Sequence, residues 1–316
     1  CRRRSRRCGR GRGRAVTDRD SGLKLAHHLA VLTAGLTCVL IVFGGLVTNT
    51  GAALAVPDWP TTFGHNMLLF PWSEMVGGVF YEHSHRLLGA LVGVCTLGLA
   101  AALWPRGGRL RALGIVAVVT VVTQGVIGGL RVVLLTDALA MVHGPLAQAF
   151  FALVVGIALV TSARMARPAP GVDGATRGLT LASAVLVYLQ IVFGALLTHA
   201  GRIDLHLAGA VAVFVLAPVV TARLRRTGDA VAAPASRLLL VLLGVQLALG
   251  AGSYLARFSG VWIPGGQLTM LALPVAHRLT GGLILAAAVV LAVRVLASAR
   301  PAPSVVTARG ALGVAR

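Results

Sequence analysis

Four of the nine histidines in the 316-residue chain, His85, His143, His206 and His277, stand inside or at the start of long apolar runs. An ionisable side chain within a bilayer is costly and is a functional candidate by default. The four fall on alternate runs that enter from the same side, so they share a depth. They group as two pairs, His85 with His143 and His206 with His277. Two imidazoles facing each other from neighbouring helices of a four-helix bundle are the arrangement that axially ligates a heme iron. One such histidine alone fits equally a helix-end residue bonded to a carbonyl; four at repeat-related positions favour the pairs. Zinc fits less well, because apart from Glu82 no further Cys, His or carboxylate ligand accompanies either pair. Of the rest, His27 and His28 fall at the start of the first run, His65 and His83 in or beside a long connection, and His199 at the end of the fifth run. His83 competes with His85, but two residues apart on a helix they point about 200° away from each other.

Glu82 precedes His85 by three residues, which puts both on one helix face. A partly desolvated carboxylate beside a porphyrin edge can take or give protons, or stabilise positive charge during oxidation of a ring substituent. It can equally be a helix-end acid that pairs with Arg86. The second pair has no such Glu, since Ile203-Asp204-Leu205 precedes His206. This asymmetry predicts one reactive site and one electron-transfer site. Arg86 and Arg278 each follow a pair member and suit either heme propionates or helix-end anchoring. In the first connection, the prolines of Pro57-Asp58-Trp59-Pro60 set a turn and the tryptophan suits an interface. That loop either caps the first pair or is a plain surface turn.

The elements that must position these residues follow from composition. Hydrophobic residues make up 57% of the chain and charged ones 12%, with a mean hydropathy of +0.85, which excludes an ordinary cytosolic enzyme. Eight apolar runs lie near 26–47, 83–104, 110–130, 139–161, 178–198, 205–223, 236–256 and 274–297, each about the 20 residues that a bilayer span needs. A soluble bundle would show polar faces at helical spacing, and 112–122 and 283–293 have none. The fold class is an all-α integral membrane protein. Cys1 and Cys8 sit in a basic tail, Cys38 and Cys95 in apolar runs, so no disulfide framework or metal knuckle is legible.

An internal repeat organises the runs. Residues 41–51 match 191–201 at seven of eleven positions. His85-Arg-Leu-Leu-Gly-Ala corresponds to His206-Leu-Ala-Gly-Ala, and Gln124-Gly to Gln246-Leu-Ala-Leu-Gly. The expected architecture is two four-helix-bundle repeats, 26–161 and 178–297, related by a pseudo-two-fold along the membrane normal. They are flanked by a basic tail over 1–25, read as disordered or an artefact of the gene start, and a tail over 298–316. The formal charge of +20 would suggest nucleic acid in a soluble protein. Counted by segment, 24 of the 29 basic residues fall in the two tails, at the end of the eighth run (Arg294) and in the connections near 105–111, 162–177 and 222–237. Such a bias marks the cytoplasmic side. The charge therefore reads as topology: a multi-pass protein of the cytoplasmic membrane, both termini cytoplasmic, the four histidines near the outer face, and no nucleic-acid partner.

Gly44-Gly45-Leu46-Val47-Thr48-Asn49-Thr50-Gly51, Pro57-Asp58-Trp59-Pro60, Glu82-His83-Ser84-His85-Arg86 with Gly89, and His143, His206 and His277-Arg278 on their runs together resemble the heme A synthases. The resemblance covers essentially residues 25–298. It implies that heme o, the substrate, lies between His85 and His143, that Glu82 is needed for the chemistry, and that heme b is held between His206 and His277. The implied reaction oxidises the methyl group at ring position 8 to a formyl group, giving heme a for terminal oxidases. A heme o synthase, terminal-oxidase assembly factors and an electron-transfer partner would then act beside it. Many members carry a cysteine pair in the first outer loop, and this chain has none there. The alternative is a non-catalytic diheme b-type cytochrome, although no run carries two histidines spaced along one helix as hemes stacked across a membrane require. A transporter fits the repeats but not their two-histidine halves.

Overall fold

Apolar residues without interruption, and a backbone that must satisfy its own hydrogen bonds away from water, leave the helix as the economical solution for each run. The computed structural model describes the backbone of residues 2–259 and 264–298, and the side chains of 21–256, 259 and 264–298. Its helices are α1 (Arg2–Asn49), α2 (Gly78–Leu103), α3 (Gly108–Leu134), α4 (Asp137–Val160), α5 (Gly174–Ala200), α6 (Ile203–Arg225), α7 (Ala232–Phe258) and α8 (Gly266–Ala297). All eight are long and apolar enough to cross a membrane, α1 through its Ser21–Asn49 portion. The side chains of most of the basic tail, and the whole tail beyond 298, lie outside the described residues. Hydroxyls inside the helices bond back to the preceding turn, as Thr33 does to the Leu29 carbonyl and Thr96 to that of Val92, both at 2.7 Å, so they cost little in an apolar setting.

Every helix begins before its apolar run, and at two of them the difference bears on the histidines. The last run is bounded at 274 in the sequence, but α8 starts at Gly266 and carries Pro274 in its interior, so His277 sits well inside the helix. Glu82 and His83 stand at the edge of the second run, which the sequence bounds at 83, yet both lie inside α2 and are buried. The first connection is therefore 50–77, with two single-turn 3-10 segments, Met67–Leu69 and Trp72–Glu74. Its counterpart between α5 and α6 is only Gly201-Arg202, where Gly201 takes the left-handed φ of 67° that ends α5.

The helices close into two rings of four. In the first, α1 packs on α2, α2 on α3, α3 on α4 and α4 back on α1; α5 to α8 repeat the order. Contacts of α4 with α8, α1 with α8 and α4 with α5 join the rings. Val92, Leu99, Phe150 and Ile157 fill the first half, and Val213, Val220, Leu239 and Leu291 the second. Ile41, Phe151 and Ala286 pack between them. At the end away from the 50–77 loop, Arg294 of α8 meets Asp229 in a buried ion pair at 2.8 Å and donates to the carbonyls of Arg167 and Pro168. This ties the α4–α5 and α6–α7 connections to α8. Burial alone would raise the Asp229 carboxyl, but Arg294 and the Ala232 and Val231 N–H groups hold it below its ordinary value.

Candidate functional site

Each even-numbered helix delivers one of the four histidines into its own ring of helices. His85 of α2 faces His143 of α4 with ring centroids 6.4 Å apart and planes at 70°. His206 of α6 faces His277 of α8 at 6.2 Å and 66°. With metal–nitrogen bonds of about 2.0 Å and each ring centroid about 1.2 Å behind its nitrogen, two imidazoles trans across one metal ion sit roughly 6.4 Å apart. Both pairs have that separation. The Nδ1 atoms of His85, His143 and His277 are buried without a well-formed hydrogen bond, a cost that a site keeps only for a purpose. Among the described residues no group of three His, Cys, Asp or Glu can hold a metal ion. Each pair thus offers two ligands, the number that a porphyrin iron takes axially.

Glutamines on the odd helices brace the pairs. Gln190 Nε2 donates to the His206 carbonyl at 2.9 Å and lies 3.2 Å from its Nδ1. Gln124 Nε2 donates to the His143 carbonyl at 3.0 Å, and Gln246 Nε2 lies 3.3 Å from His277 Nε2. The contacts of Gln190 and Gln246 with ring nitrogens bear on ring orientation and tautomer, while Gln124 holds the backbone at His143. The repeat marks Gln124 and Gln246 in the sequence. Gln190 escapes notice because its counterpart, one residue before Ile41, is Leu40.

The loop over the first pair is tied to α2 by one arginine. Arg86 Nη1 donates to the carbonyls of Asp58 (2.7 Å) and Thr61 (3.1 Å), and Nη2 to the Val56 carbonyl (3.1 Å) and Glu82 Oε1 (2.8 Å). The other Glu82 oxygen accepts the Val56 N–H at 3.0 Å. All four Nη protons are committed to the loop and Glu82, the anchoring role that the sequence offered for Arg86 beside a propionate contact. The pairing of Glu82 with Arg86 is present, but as a buried contact rather than an exposed one. His83 does not compete for the pair: its Nδ1 lies 3.2 Å from the Thr62 hydroxyl and its ring 5.0 Å from Phe70. Asp58 organises the turn by accepting the N–H groups of Phe63 and Gly64. Desolvation would raise this carboxyl, but the Gly64 N–H, the Thr61 hydroxyl and the Phe63 N–H hold it below its ordinary value. The indole of Trp59 lies where a side chain on Gly129 of α3 would be. Loop residues Ala52 and Val56 are buried, so the segment is a packed cover.

Among the described residues the second pair has no such loop and arginine clamp. Asp204 pairs at 2.7 Å with Arg202, both exposed. Arg278 follows His277, and its carbonyl faces Gln148 Nε2 of α4 at 3.4 Å.

A sequence profile of the family described as cytochrome oxidase assembly protein matches residues 27–203, which takes in α1 to α5 and stops just short of His206. Heme A synthase of Shouchella clausii (strain KSM-K16) is 31% identical over 186 residues, 56% of this chain and 60% of that protein. Heme A synthase of Beijerinckia indica subsp. indica is 29% identical over 228 residues, 60% of this chain and 62% of that protein. That of Bacillus pumilus (strain SAFR-032) is 30% identical over 138 residues, 42% of this chain and 43% of that protein. The chain spans less than two thirds of the length of each of these curated relatives.

Proposed function

The chain belongs to the family of cytochrome oxidase assembly proteins, and from that premise we propose that it is a heme A synthase, an oxidoreductase converting the position-8 methyl of heme o to a formyl group. The observation that carries the proposal is the spacing of the two histidine pairs, 6.4 and 6.2 Å between ring centroids. His85 and His143 hold heme o as substrate; His206 and His277 hold heme b as cofactor, with Arg278 beside its propionates. When bound, the hemes supply redox-active iron.

The protein's own part is positional. Four helices hold each ring pair, and the loop 50–77, with Trp59 seated on α3, excludes water from the first pair. Glu82, one helical turn from His85, has Oε1 on Arg86 and Oε2 on the Val56 N–H, and would serve as a proton acceptor at this site while the four electrons of the methyl-to-formyl change leave to the electron-transfer partner. Arg86 holds Glu82 and the loop together. The two halves exchange under a pseudo-two-fold along the membrane normal, which the matching inter-ring contacts support. The basic residues put both termini in the cytoplasm and both heme sites near the outer face. Heme o synthase, terminal-oxidase assembly factors and an electron-transfer partner are the expected neighbours.

The equal spacing of the two pairs favours, as second reading, a diheme b-type cytochrome that only passes electrons. The Glu82–Arg86 loop in one half alone argues for the enzyme. Expression with and without a heme o synthase, followed by heme extraction and chromatography, separates them. The enzyme yields heme a only when heme o is supplied; a cytochrome yields heme b in both cases and no heme a.

A further inference from the structure

All four histidine rings rest on a glycine of the preceding odd-numbered helix. A Cβ built on Gly44 of α1 would stand 3.1 Å from His85 Cε1, and one on Gly128 of α3 would stand 3.2 Å from His143 Cε1. On Gly194 of α5 it would stand 3.4 Å from His206 Cε1, and on Gly250 of α7 3.0 Å from His277 Cε1. The next atom met is Nδ1 in every case, at 3.5 to 3.7 Å, while Nε2 is 3.9 Å or farther. One ring edge, Cε1–Nδ1, is thus seated on the helix each time, and Nε2 is left farther from it.

The position of these glycines has a physical reason. A helical Cα–Cβ bond tilts toward the N-terminus, so the side chain at position i+4 covers the turn that holds the carbonyl of residue i. Four residues before the glycines stand Leu40, Gln124, Gln190 and Gln246. The three glutamines reach the same histidines: Gln124 the His143 carbonyl, Gln190 the His206 ring and Gln246 the His277 ring. A methyl group at the glycine would push the ring edge off that turn. Other glycines of the same helices, Gly35, Gly125 and Gly244, have nothing within 4 Å of a built Cβ.

We propose that Gly44, Gly128, Gly194 and Gly250 are positioning residues that set the orientation of the four imidazoles, and thereby the ligand field of any iron held between them. The inference rests on the heme reading above. Helical Gly→Ala favours the helix, so folding is not threatened and the effect must come from the ring.

The test compares Gly250→Ala, Gly44→Ala and the control Gly244→Ala in purified protein, read by heme content, by low-temperature electron paramagnetic resonance of the oxidised hemes and by optical spectra. Gly250→Ala should shift the low-spin g-values and visible bands of the His206–His277 heme at unchanged chain yield, leaving the other heme alone. Gly44→Ala should do the reverse, and Gly244→Ala should match wild type. Shifts should shrink from Gly250 to Gly194 as the Cβ distance grows. Gly250→Ala and Gly44→Ala spectra identical to wild type, or shifts as large in Gly244→Ala, would overturn the proposal. Wild-type protein that binds no heme would instead refute the underlying heme reading.

Discussion

Arg86 is the position at which loss of one side chain should be felt most widely. Its guanidinium and the Glu82 carboxylate are almost fully buried, with side-chain exposures of 9% and 7%. Four Nη bonds reach three loop carbonyls and Glu82. Hydrogen bonds to a charged group contribute roughly 1.5–3 kcal/mol each, but they do not add when one residue makes them all. The better guide is the loss of one partner from a buried pair, about 3–5 kcal/mol, because the other charge is left uncompensated. Arg86→Ala should therefore destabilise the first half by about 3–5 kcal/mol. Arg86→Lys keeps the charge but cannot reproduce the planar fork that serves four acceptors, so it should fall between. In Glu82→Ala/Arg86→Ala the orphaned carboxylate is gone, and a double-mutant cycle should give a coupling of about 1–3 kcal/mol. The assay is denaturant unfolding in mild detergent, paired with limited proteolysis at the exposed turn around Phe63 and Gly64. The single variants should be cut faster there than wild type. A cost below about 1 kcal/mol for Arg86→Ala, or additive single and double variants, would refute the argument that this arginine clamps the loop.

Three further outcomes follow from the same geometry. Glu82→Gln should retain both hemes yet lose conversion of heme o to heme a by heme chromatography; unimpaired conversion would remove the carboxylate from the proton-handling role. Gly129→Ala should displace Trp59 and raise the accessibility of its indole to an aqueous fluorescence quencher, measured in a protein with the other three tryptophans replaced by Phe; an unchanged quenching constant would dissociate the loop from α3. Asp229 has a folded-state pKa below its ordinary value of 3.8, so its contribution is complete above that value and is lost as pH falls through the folded pKa. Stability should fall with acid below about pH 4, and Asp229→Asn should remove that part of the slope; a parallel acid slope in the variant would contradict this.

The eight helices and the partnering of histidines were legible because apolar length and a coarse repeat are strong one-dimensional signals. The start of α8 was not, since Pro274 in a helix interior looks the same in sequence as a proline at a helix start. The start of α2 was blurred for a related reason: the polar Glu82 and His83 mark the edge of the apolar run, and only the folded loop supplies the Val56 N–H and Thr62 hydroxyl that let them be buried. Arg86 was visible as a charge beside His85, but its partners lie 25 to 30 residues upstream in a segment with no periodicity. The glycines under the histidines were visible only as small residues in the repeat. Their role appears when the rings of one helix are laid on the backbone of the next.

The central claim is that each half of the chain holds one heme between two histidines. Heme-to-protein stoichiometry with low-spin spectra, measured on purified wild type, His85→Ala and His206→Ala expressed with a heme o synthase, tests it most directly. Wild type should bind two low-spin hemes per chain, His85→Ala should lose the substrate-site signal alone, and His206→Ala the heme b signal alone. A single heme in wild type, or one signal that is lost in both variants together, would contradict it.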